Sequence, residues 1–304
     1  MKLNHPFYKY SISILIFVVF LVFIQQYIGW ESVFLQLEKL SLTTLSLIFI
    51  ILSLSYITRA LRIYFFFNSS YPDSFTTYLK ISIYHNFFNN FLPMRAGEIS
   101  YPILLKKNLG ISLRKSTKSL IWFRALDLCS LVALVIFILN TYIYQPGIFY
   151  LFSILIFILP IILFYSVKYY STSNYTGNNV FLKAVNFIIT SIPTSKTDLI
   201  SSWVFTQITW VLKLSVFTFF ISFTLQIDLT SSLLATISSE FTSILPIHSF
   251  AGFGTYEAGI IAVLAPQNIA NTKAIVASST SLHIIILTST MLSAMIFLFV
   301  HNKK

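Results

Sequence analysis

The sequence predicts an all-α integral membrane protein with about six transmembrane helices and two re-entrant helical hairpins, arranged as an inverted repeat. Composition is the first reason: of 304 residues, 56% are hydrophobic and 10% are charged, and the mean hydropathy is +0.81. A soluble domain carries about 25% charged residues. Most of the protein surface must therefore face lipid, which excludes a soluble enzyme and a soluble nucleic-acid-binding domain.

The lengths of the apolar segments are the second reason. A helix needs about 20 mainly apolar residues to cross the hydrocarbon core, and six stretches qualify: 10–28, 41–66, 119–141, 148–167, 200–225 and 274–300. Two further stretches, 81–105 and 231–265, are long enough to enter the membrane but contain Pro, Gly and a carboxylate. No small-residue cleavage site follows the first stretch, so we interpret it as a retained signal anchor.

The distribution of Lys and Arg is the third reason. Two sets of loops alternate along the chain, and only Lys39 and Lys273 lie in the second set. The first set holds thirteen basic residues: Lys2, Lys9, Lys80, Lys106, Lys107, Arg114, Lys115, Lys118, Lys168, Lys183, Lys196, Lys303 and Lys304. This bias predicts a multi-pass protein of the cytoplasmic (inner) membrane with both termini in the cytoplasm.

The same bias predicts that the two interrupted stretches do not cross the membrane. Lys80 precedes 81–105 and the basic loop 106–118 follows it, so full passage would export the most basic loop of the chain. We therefore predict a re-entrant hairpin at 81–105 from the cytoplasm and, by parity, one at 231–265 from the outer face. The whole chain, 1–304, then forms one domain with inverted repeats at about 10–141 and 148–300, an arrangement that recurs in transporters.

The two predicted hairpins share a turn pattern. Each has Leu-Pro, then a turn with Gly, then a Glu that begins apolar sequence; the turn residues are Pro93, Gly97, Pro246, Gly252 and Gly254. Pro ends one half-helix and Gly permits the reversal. The half-helix after each turn directs free N–H groups and a positive dipole end towards the membrane interior, which favours an anionic headgroup.

Three titratable side chains lie near these turns: Glu98, Glu257 and His248. A carboxylate inside a membrane needs a cation, a proton or a hydrogen-bond donor. Glu98 and Glu257 either act on a substrate or cap their half-helices, and His248 either relays a proton or donates a hydrogen bond to the turn. Glu240, in the same hairpin as Glu257, is expected at the outer interface, with a solvated role or a functional one.

Further charged residues interrupt the predicted spans. Arg59 and Arg62 share a helix face and either hold a phosphate or extend to the interface. Arg124 and Asp127 have the same spacing, which favours pairing with each other or with the first hairpin. Lys213, in the middle of a span, is a candidate partner for Glu257 or a contact for a lipid phosphate.

These motifs, in this order, resemble the lysylphosphatidylglycerol synthase transmembrane region family, whose members are similar to the flippase half of the bacterial multiple peptide resistance factor. The resemblance covers about residues 10–300. The matching elements are Arg59-Ala60-Leu61-Arg62, the element from Asn89 to Glu98 with Arg95, the pair Arg124 and Asp127, and Leu245-Pro246 followed by the residues from Ala251 to Glu257. The family tends to have Glu one residue before the Arg of its Arg-x-x-Asp element, where this chain has Phe123.

The resemblance implies translocation of a lipid across the cytoplasmic membrane. The expected substrate is an anionic or phosphate-linked lipid, such as an aminoacyl phospholipid or a polyprenyl-phosphate-linked sugar. Arg59, Arg62, Arg95 and Lys213 would hold the phosphate, and Glu98, Glu257 and His248 would accept amines or protons. We expect no cofactor and no metal, because Cys129 is the single cysteine and cannot form a cysteine cluster.

Two other function classes remain open at this point. The first is a membrane-embedded lipid-modifying or glycosyl-transferring enzyme that uses Glu98, His248 and Glu257 as acid–base groups. The sequence has no Asp-x-Asp and no metal-ligand cluster to favour it, and the length leaves no room for a soluble aminoacyl-transferring domain. The second is an accessory subunit of such an enzyme or of a glycosyltransferase. Nucleic acid is not expected as a partner, because the basic residues lie in short loops between apolar stretches.

Overall fold

The computed structural model describes residues 6–140, 147–170, 180–242 and 249–301, and these residues form helices and the turns between them. The helices, in chain order, are α1 (Pro6–Phe23), α2 (Trp30–Glu38), α3 (Leu42–Phe67), α4 (Phe75–Phe91), α5 (Ser100–Leu109), α6 (Leu113–Leu139), α7 (Ile148–Tyr170), α8 (Val180–Ile189), α9 (Lys196–Leu225), α10 (Leu229–Thr242), α11 (Thr255–Leu264) and α12 (Thr272–His301). The all-α prediction is confirmed for these ranges.

Five of these helices are long and apolar enough to cross a membrane: Leu42–Phe67, Leu113–Leu139, Ile148–Val167, Lys196–Leu225 and Thr272–Val300. They coincide with five of the six predicted spans to within about six residues. The sixth predicted span, 10–28, consists of α1 and a π-helical turn, Ile24–Ile28, and the chain then bends by 80° into α2. The bend occurs at Gly29, whose φ of +84° suits glycine.

The surface of α7 shows why these helices suit lipid. Its exposed side chains include Leu151, Phe152, Ile154 and Leu155. A helix that is apolar around its whole circumference is stable only when lipid or other apolar side chains surround it. The described part of the chain is therefore that of a multi-pass membrane protein.

Both predicted interruptions are breaks in the helical structure. In the first broken segment (75–109), α4 is followed by a 3-10 turn at Pro93–Ile99 and then by α5. In the second broken segment (229–264), α10 precedes a 3-10 turn at Phe250–Gly252, which is followed by α11. Pro246 and His248 lie outside the described residues.

A glycine makes a close backbone contact within each broken segment. A Cβ atom on Gly97, in the first 3-10 turn, would lie 2.3 Å from Cα of Asn89 in α4, and a Cβ on Gly259, in α11, would lie 2.6 Å from Cα of Ser239 in α10. Real Cβ atoms do not approach backbone this closely, so each contact requires glycine. Gly97 was predicted as a turn residue, whereas Gly259 was not singled out.

Contacts divide the chain into two compact units. Unit 1 comprises Met1–Ser55, Ile83–Ser100 and Val211–Lys304, and unit 2 comprises Tyr56–Ser82 and Tyr101–Trp210. The core of unit 1 includes Phe217, Phe220, Ile260, Ile275 and Leu282. The core of unit 2 includes Phe67, Tyr78, Tyr101, Phe123 and Phe164. The predicted inverted repeats, 10–141 and 148–300, stay a prediction.

Candidate functional site

Unit 2 contains a cluster of arginines around one buried carboxylate. Arg62, in α3, donates from Nη1 to Oδ1 of Asp127 at 2.9 Å and to the Thr206 hydroxyl at 2.9 Å. Its guanidinium lies 4.5 Å from the centroid of the Phe123 ring, a cation–π contact. Arg62 is only 7% exposed and Asp127 6%, so both charges depend on protein partners.

Asp127 has additional partners. Arg124, one helical turn earlier on α6, approaches Oδ2 of Asp127 at 3.3 Å, and the indole of Trp210 donates to Oδ1 at 3.2 Å. Arg59 also acts electrostatically on this carboxylate. Of the two pairings predicted for Arg124 and Asp127, with each other or with the first hairpin, the structure shows the pairing with each other. We call Arg59, Arg62, Arg124 and Asp127 the arginine cluster: it carries three positive charges and one negative charge.

Within the described residues, the Nε–H donor of Arg62 has no acceptor. Nε of Arg62 is buried and makes no hydrogen bond to any described residue. A buried donor without an acceptor costs about 1–3 kcal/mol, so such atoms mark places where a ligand or water supplies the missing oxygen. Arginine presents Nε and Nη in a planar fork that matches the oxygens of a phosphate.

Unit 1 contains a different pair of titratable groups. Oε1 of Glu257, in the first turn of α11, lies 2.8 Å from Nδ1 of His283, in α12. Oε2 of Glu257 accepts a hydrogen bond from the backbone N–H of Gly254 at 2.7 Å. Glu257 is fully buried and His283 is 5% exposed. Glu257 therefore caps its helix, as one of the two sequence interpretations proposed, and it also binds a histidine.

The predicted pairing of Lys213 with Glu257 is wrong. Lys213, in α9, forms an ion pair with Glu240 of α10 at 2.7 Å, whereas Glu257 pairs with His283. Glu240 is 6% exposed, so it is a buried ion-pair partner of Lys213. The position of Lys213 within its predicted span does not show which carboxylate it faces, because that depends on how the helices are rotated about their axes.

The 3-10 turns of the two broken segments meet in unit 1. The turn Pro93–Ile99 contacts the turn Phe250–Gly252, and both contact α1. Asn90, at the end of α4, donates from Nδ2 to the Thr290 hydroxyl of α12 at 2.8 Å, and the buried Oδ1 of Asn89 accepts no hydrogen bond from the described residues. Polar side chains therefore lie next to the first turn, among mainly apolar helices.

The predicted site residues fall into two groups. Arg59, Arg62, Arg124 and Asp127 come together in unit 2, and Glu98, Lys213 and Glu257 belong to unit 1. Pro93 begins its 3-10 turn, and positive φ values of +80° and +83° confirm Gly252 and Gly254 as turn residues. Arg95 lies in the same turn as Pro93, but its side chain is outside the described part, as is all of His248.

Sequence reasoning missed four members of these sites: His283, Thr206, Trp210 and Phe123. His283 had a usable signal, because an ionisable residue within an apolar span is a functional candidate. Trp210 and Phe123 had none, since aromatic side chains are common in such helices and only the fold places them against Asp127 and Arg62. Phe123 stands where the resembling family tends to have Glu, and here an aromatic face contacts the guanidinium instead.

The fold and the two charged sites define a polytopic helical membrane protein with buried ionisable groups in each of its two units. Comparison with protein families matches residues 10–293 to the family described as the lysylphosphatidylglycerol synthase TM region. The chain belongs to this family, which makes it a membrane protein of lipid-related function. Comparisons with curated proteins and with solved structures gave no match.

Proposed function

We propose that this protein translocates an anionic or phosphate-linked lipid across the cytoplasmic membrane. The substrate class is an aminoacyl phospholipid or a polyprenyl-phosphate-linked sugar. The observation that carries the proposal is the arginine cluster, where the buried Nε of Arg62 has no acceptor among the residues that the structure describes. A headgroup phosphate supplies that acceptor and is attracted by the neighbouring guanidinium groups, while the acyl or prenyl tails stay in lipid.

The proposal includes the membrane topology. Both termini lie in the cytoplasm, and the broken segments enter from opposite faces as re-entrant hairpins of an inverted repeat. Three observations support this: the bias of Lys and Arg between loops, the contact between the two 3-10 turns, and the close glycine contacts of the first turn with α4 and of α11 with α10. Irregular backbone inside a membrane is stable where protein or a polar cavity surrounds it.

The test uses purified protein in vesicles of phosphatidylethanolamine and phosphatidylglycerol. A fluorescent phosphatidylglycerol is followed by quenching from outside with dithionite, and fluorescent aminoacyl-phosphatidylglycerol and polyprenyl-phosphate sugar are compared in the same way. We expect at least one of these lipids to exchange between leaflets faster than in vesicles without protein. Movement no faster than in empty vesicles for all three classes contradicts the proposal.

Arg62→Lys tests the role assigned to the arginine. Lysine keeps a positive charge beside Asp127 but lacks the Nε–H donor and the planar fork. A hydrogen bond to a charged group contributes about 1.5–3 kcal/mol, so lipid movement should slow roughly 10- to 100-fold. The control is Lys183→Gln, which removes an exposed cation of α8 and should leave the rate unchanged.

A further inference from the structure

The Glu257–His283 pair differs in its charge balance from the Lys213–Glu240 pair of the same unit. Lys213 and Glu240 carry one positive and one negative charge, so their pair is neutral as it stands. Glu257 with a neutral histidine carries one negative charge, and one added proton makes the pair neutral. Histidine is the side chain whose charge ordinarily changes in the physiological pH range.

Aromatic rings surround the Glu257–His283 pair, so a net charge on the pair has a free-energy cost. The ring centroids of Phe253 and Tyr256 lie 4.7 Å and 4.6 Å from the centroid of the His283 imidazole. A net charge in such surroundings costs several kcal/mol unless a partner compensates it. The Gly254 N–H and the N-terminus of α11 compensate part of the charge of Glu257, and a proton on His283 compensates the rest.

The other titratable and charged groups near the pair come from neighbouring helices. Tyr256 is on the same helix as Glu257, and both Glu240 of α10 and Glu257 act electrostatically on its hydroxyl. Lys213 of α9 is held by Glu240. On α2, the buried Gln36 accepts a hydrogen bond from the Ser278 hydroxyl of α12. On α1, the rings of Phe17 and Phe20 contact those of Phe250 and Phe253. None of these described groups is a second histidine.

The geometry also indicates where the proton binds. Nδ1 of His283 faces Oε1 of Glu257, and in a neutral imidazole one ring nitrogen donates while the other accepts. Nδ1 therefore carries the hydrogen of the neutral ring, and Nε2 takes the additional proton. His283 keeps 5% of its surface accessible whereas Glu257 keeps none, so the proton reaches the pair through the histidine.

The pair is connected to the contact between the two turns. Glu257 holds the backbone N–H of Gly254, which follows the 3-10 turn Phe250–Gly252, and that turn contacts the turn Pro93–Ile99. We propose that Glu257 and His283 form a binding site for one proton, and that uptake and release of this proton drive movement of the turn Phe250–Gly252 while a lipid is translocated. This inference rests on the proposed function and gives it a driving force, the proton gradient.

The first experiment detects the proton without requiring transport. Purified protein with ¹⁵N-labelled histidine is titrated by NMR from about pH 9 to about pH 5, and the His283 signal is assigned by its loss in His283→Gln. We expect the His283 signal to move from the neutral to the protonated position within this range. A signal that stays in one position over the whole range overturns the proton site, whatever the lipid assay shows.

The second experiment detects coupling. Vesicles with equal K⁺ on both sides and valinomycin, which clamps the membrane potential, receive a pH difference of about one unit, and the final distribution of the transported lipid is measured. One proton moved with each lipid should shift this distribution about tenfold, since about 1.4 kcal/mol corresponds to one pH unit. His283→Gln keeps a donor towards Glu257 but cannot titrate, and it should lose the response to the pH difference.

The control and the outcomes separate the two proposals. Glu31→Gln removes an exposed carboxylate of α2 and should respond to the pH difference as the wild type does. Lipid movement that ignores the pH difference in the wild type, or that responds to it equally in His283→Gln, overturns the coupling and leaves the proposed function standing. Absence of lipid movement in the wild type contradicts the proposed function, and the NMR titration then decides the proton site alone.

Discussion

The arginine cluster of unit 2 and the Glu257–His283 pair of unit 1 keep charges inside a membrane protein in different ways. In the arginine cluster the cations stay charged at every physiological pH, and Asp127 accepts from Arg62, Arg124 and Trp210. In the Glu257–His283 pair, one carboxylate faces an imidazole, to which we assign the uptake and release of a proton. A cluster of fixed charge suits an anion that must be held, whereas a variable charge suits a proton that must come and go.

The largest effect is expected for the carboxylate of the arginine cluster. Asp127→Leu leaves Arg62 buried without its ion-pair partner, and breaking a buried pair in this way costs about 3–5 kcal/mol. The free energy of unfolding in mild detergent measures the loss. The double variant Arg62→Met, Asp127→Leu removes both charges and should recover most of the stability, although lipid movement should not return. A double variant as unstable as Asp127→Leu contradicts the assigned pairing.

The next effect concerns the packing of the broken segments, on which the region around Glu257 depends. Gly97→Ala places a Cβ against the backbone of α4, and Gly259→Ala places one against the backbone of α10. Overpacking of this kind costs about 1–3 kcal/mol or more. Gly97→Ala should be the worse of the two, because its contact is closer. The measurement is thermal unfolding in detergent.

A third glycine provides the control for these two. Gly110 has no neighbour within 4 Å of the position of a Cβ, and its φ is +67°. Asn tolerates that backbone conformation better than most residues, so Gly110→Asn should change the stability little. Equal losses in Gly97→Ala, Gly259→Ala and Gly110→Asn would mean that backbone conformation, and not the close contact with α4 or α10, requires the glycines.

A smaller effect is expected for the aromatic contact of the arginine cluster. The guanidinium of Arg62 over the Phe123 ring should be worth about 0.5–2 kcal/mol. A double-mutant cycle measures it by combining Phe123→Leu with Arg62→Met and comparing unfolding free energies. Because Phe123 is also buried, the loss in the single variant includes lost packing, and only the coupling energy reports the cation–π contact. A coupling energy of zero would mean that the Phe123 ring does not stabilise Arg62.

The smallest effect belongs to an exposed carboxylate, which contrasts with Asp127 and Glu257. The hydrogen bond from the Thr77 hydroxyl to Asp73, before the start of α4, lowers the pKa of the Asp73 carboxyl below its ordinary value of 3.8. A lowered pKa in the folded state adds stability that is complete above pH 3.8 and is lost as pH falls through the lowered value. The difference in melting temperature between wild type and Asp73→Ala should therefore shrink below about pH 4. A difference that grows there would contradict this interpretation.

Much of the fold was accessible from the sequence because bilayer thickness constrains it. Five predicted spans correspond to α3, α6, α7, α9 and α12. The positions of Pro and Gly in the sequence predicted both interruptions. The bend at Gly29 and the short helices α2 and α8 were not predicted. A length criterion does not detect helices of 9 and 10 residues, and the backbone conformation at Gly29 depends on tertiary packing.

The candidate site was accessible only where spacing along one helix decides a contact. Arg124 and Asp127, three residues apart on α6, form one of the two pairings predicted for them. Contacts between helices depend on rotation and relative depth, which cannot be read from one sequence. For that reason Glu257 was one of two partners predicted for Lys213, which pairs with Glu240, and His283, the partner of Glu257, was overlooked.

The most direct test compares Arg62→Lys and His283→Gln in the same vesicle preparation, with and without a pH difference. The division between a fixed phosphate site and a proton site predicts that Arg62→Lys slows lipid movement under both conditions. It predicts that His283→Gln instead loses the response to the pH difference. Wild-type rates in Arg62→Lys together with a wild-type pH response in His283→Gln would contradict both assignments.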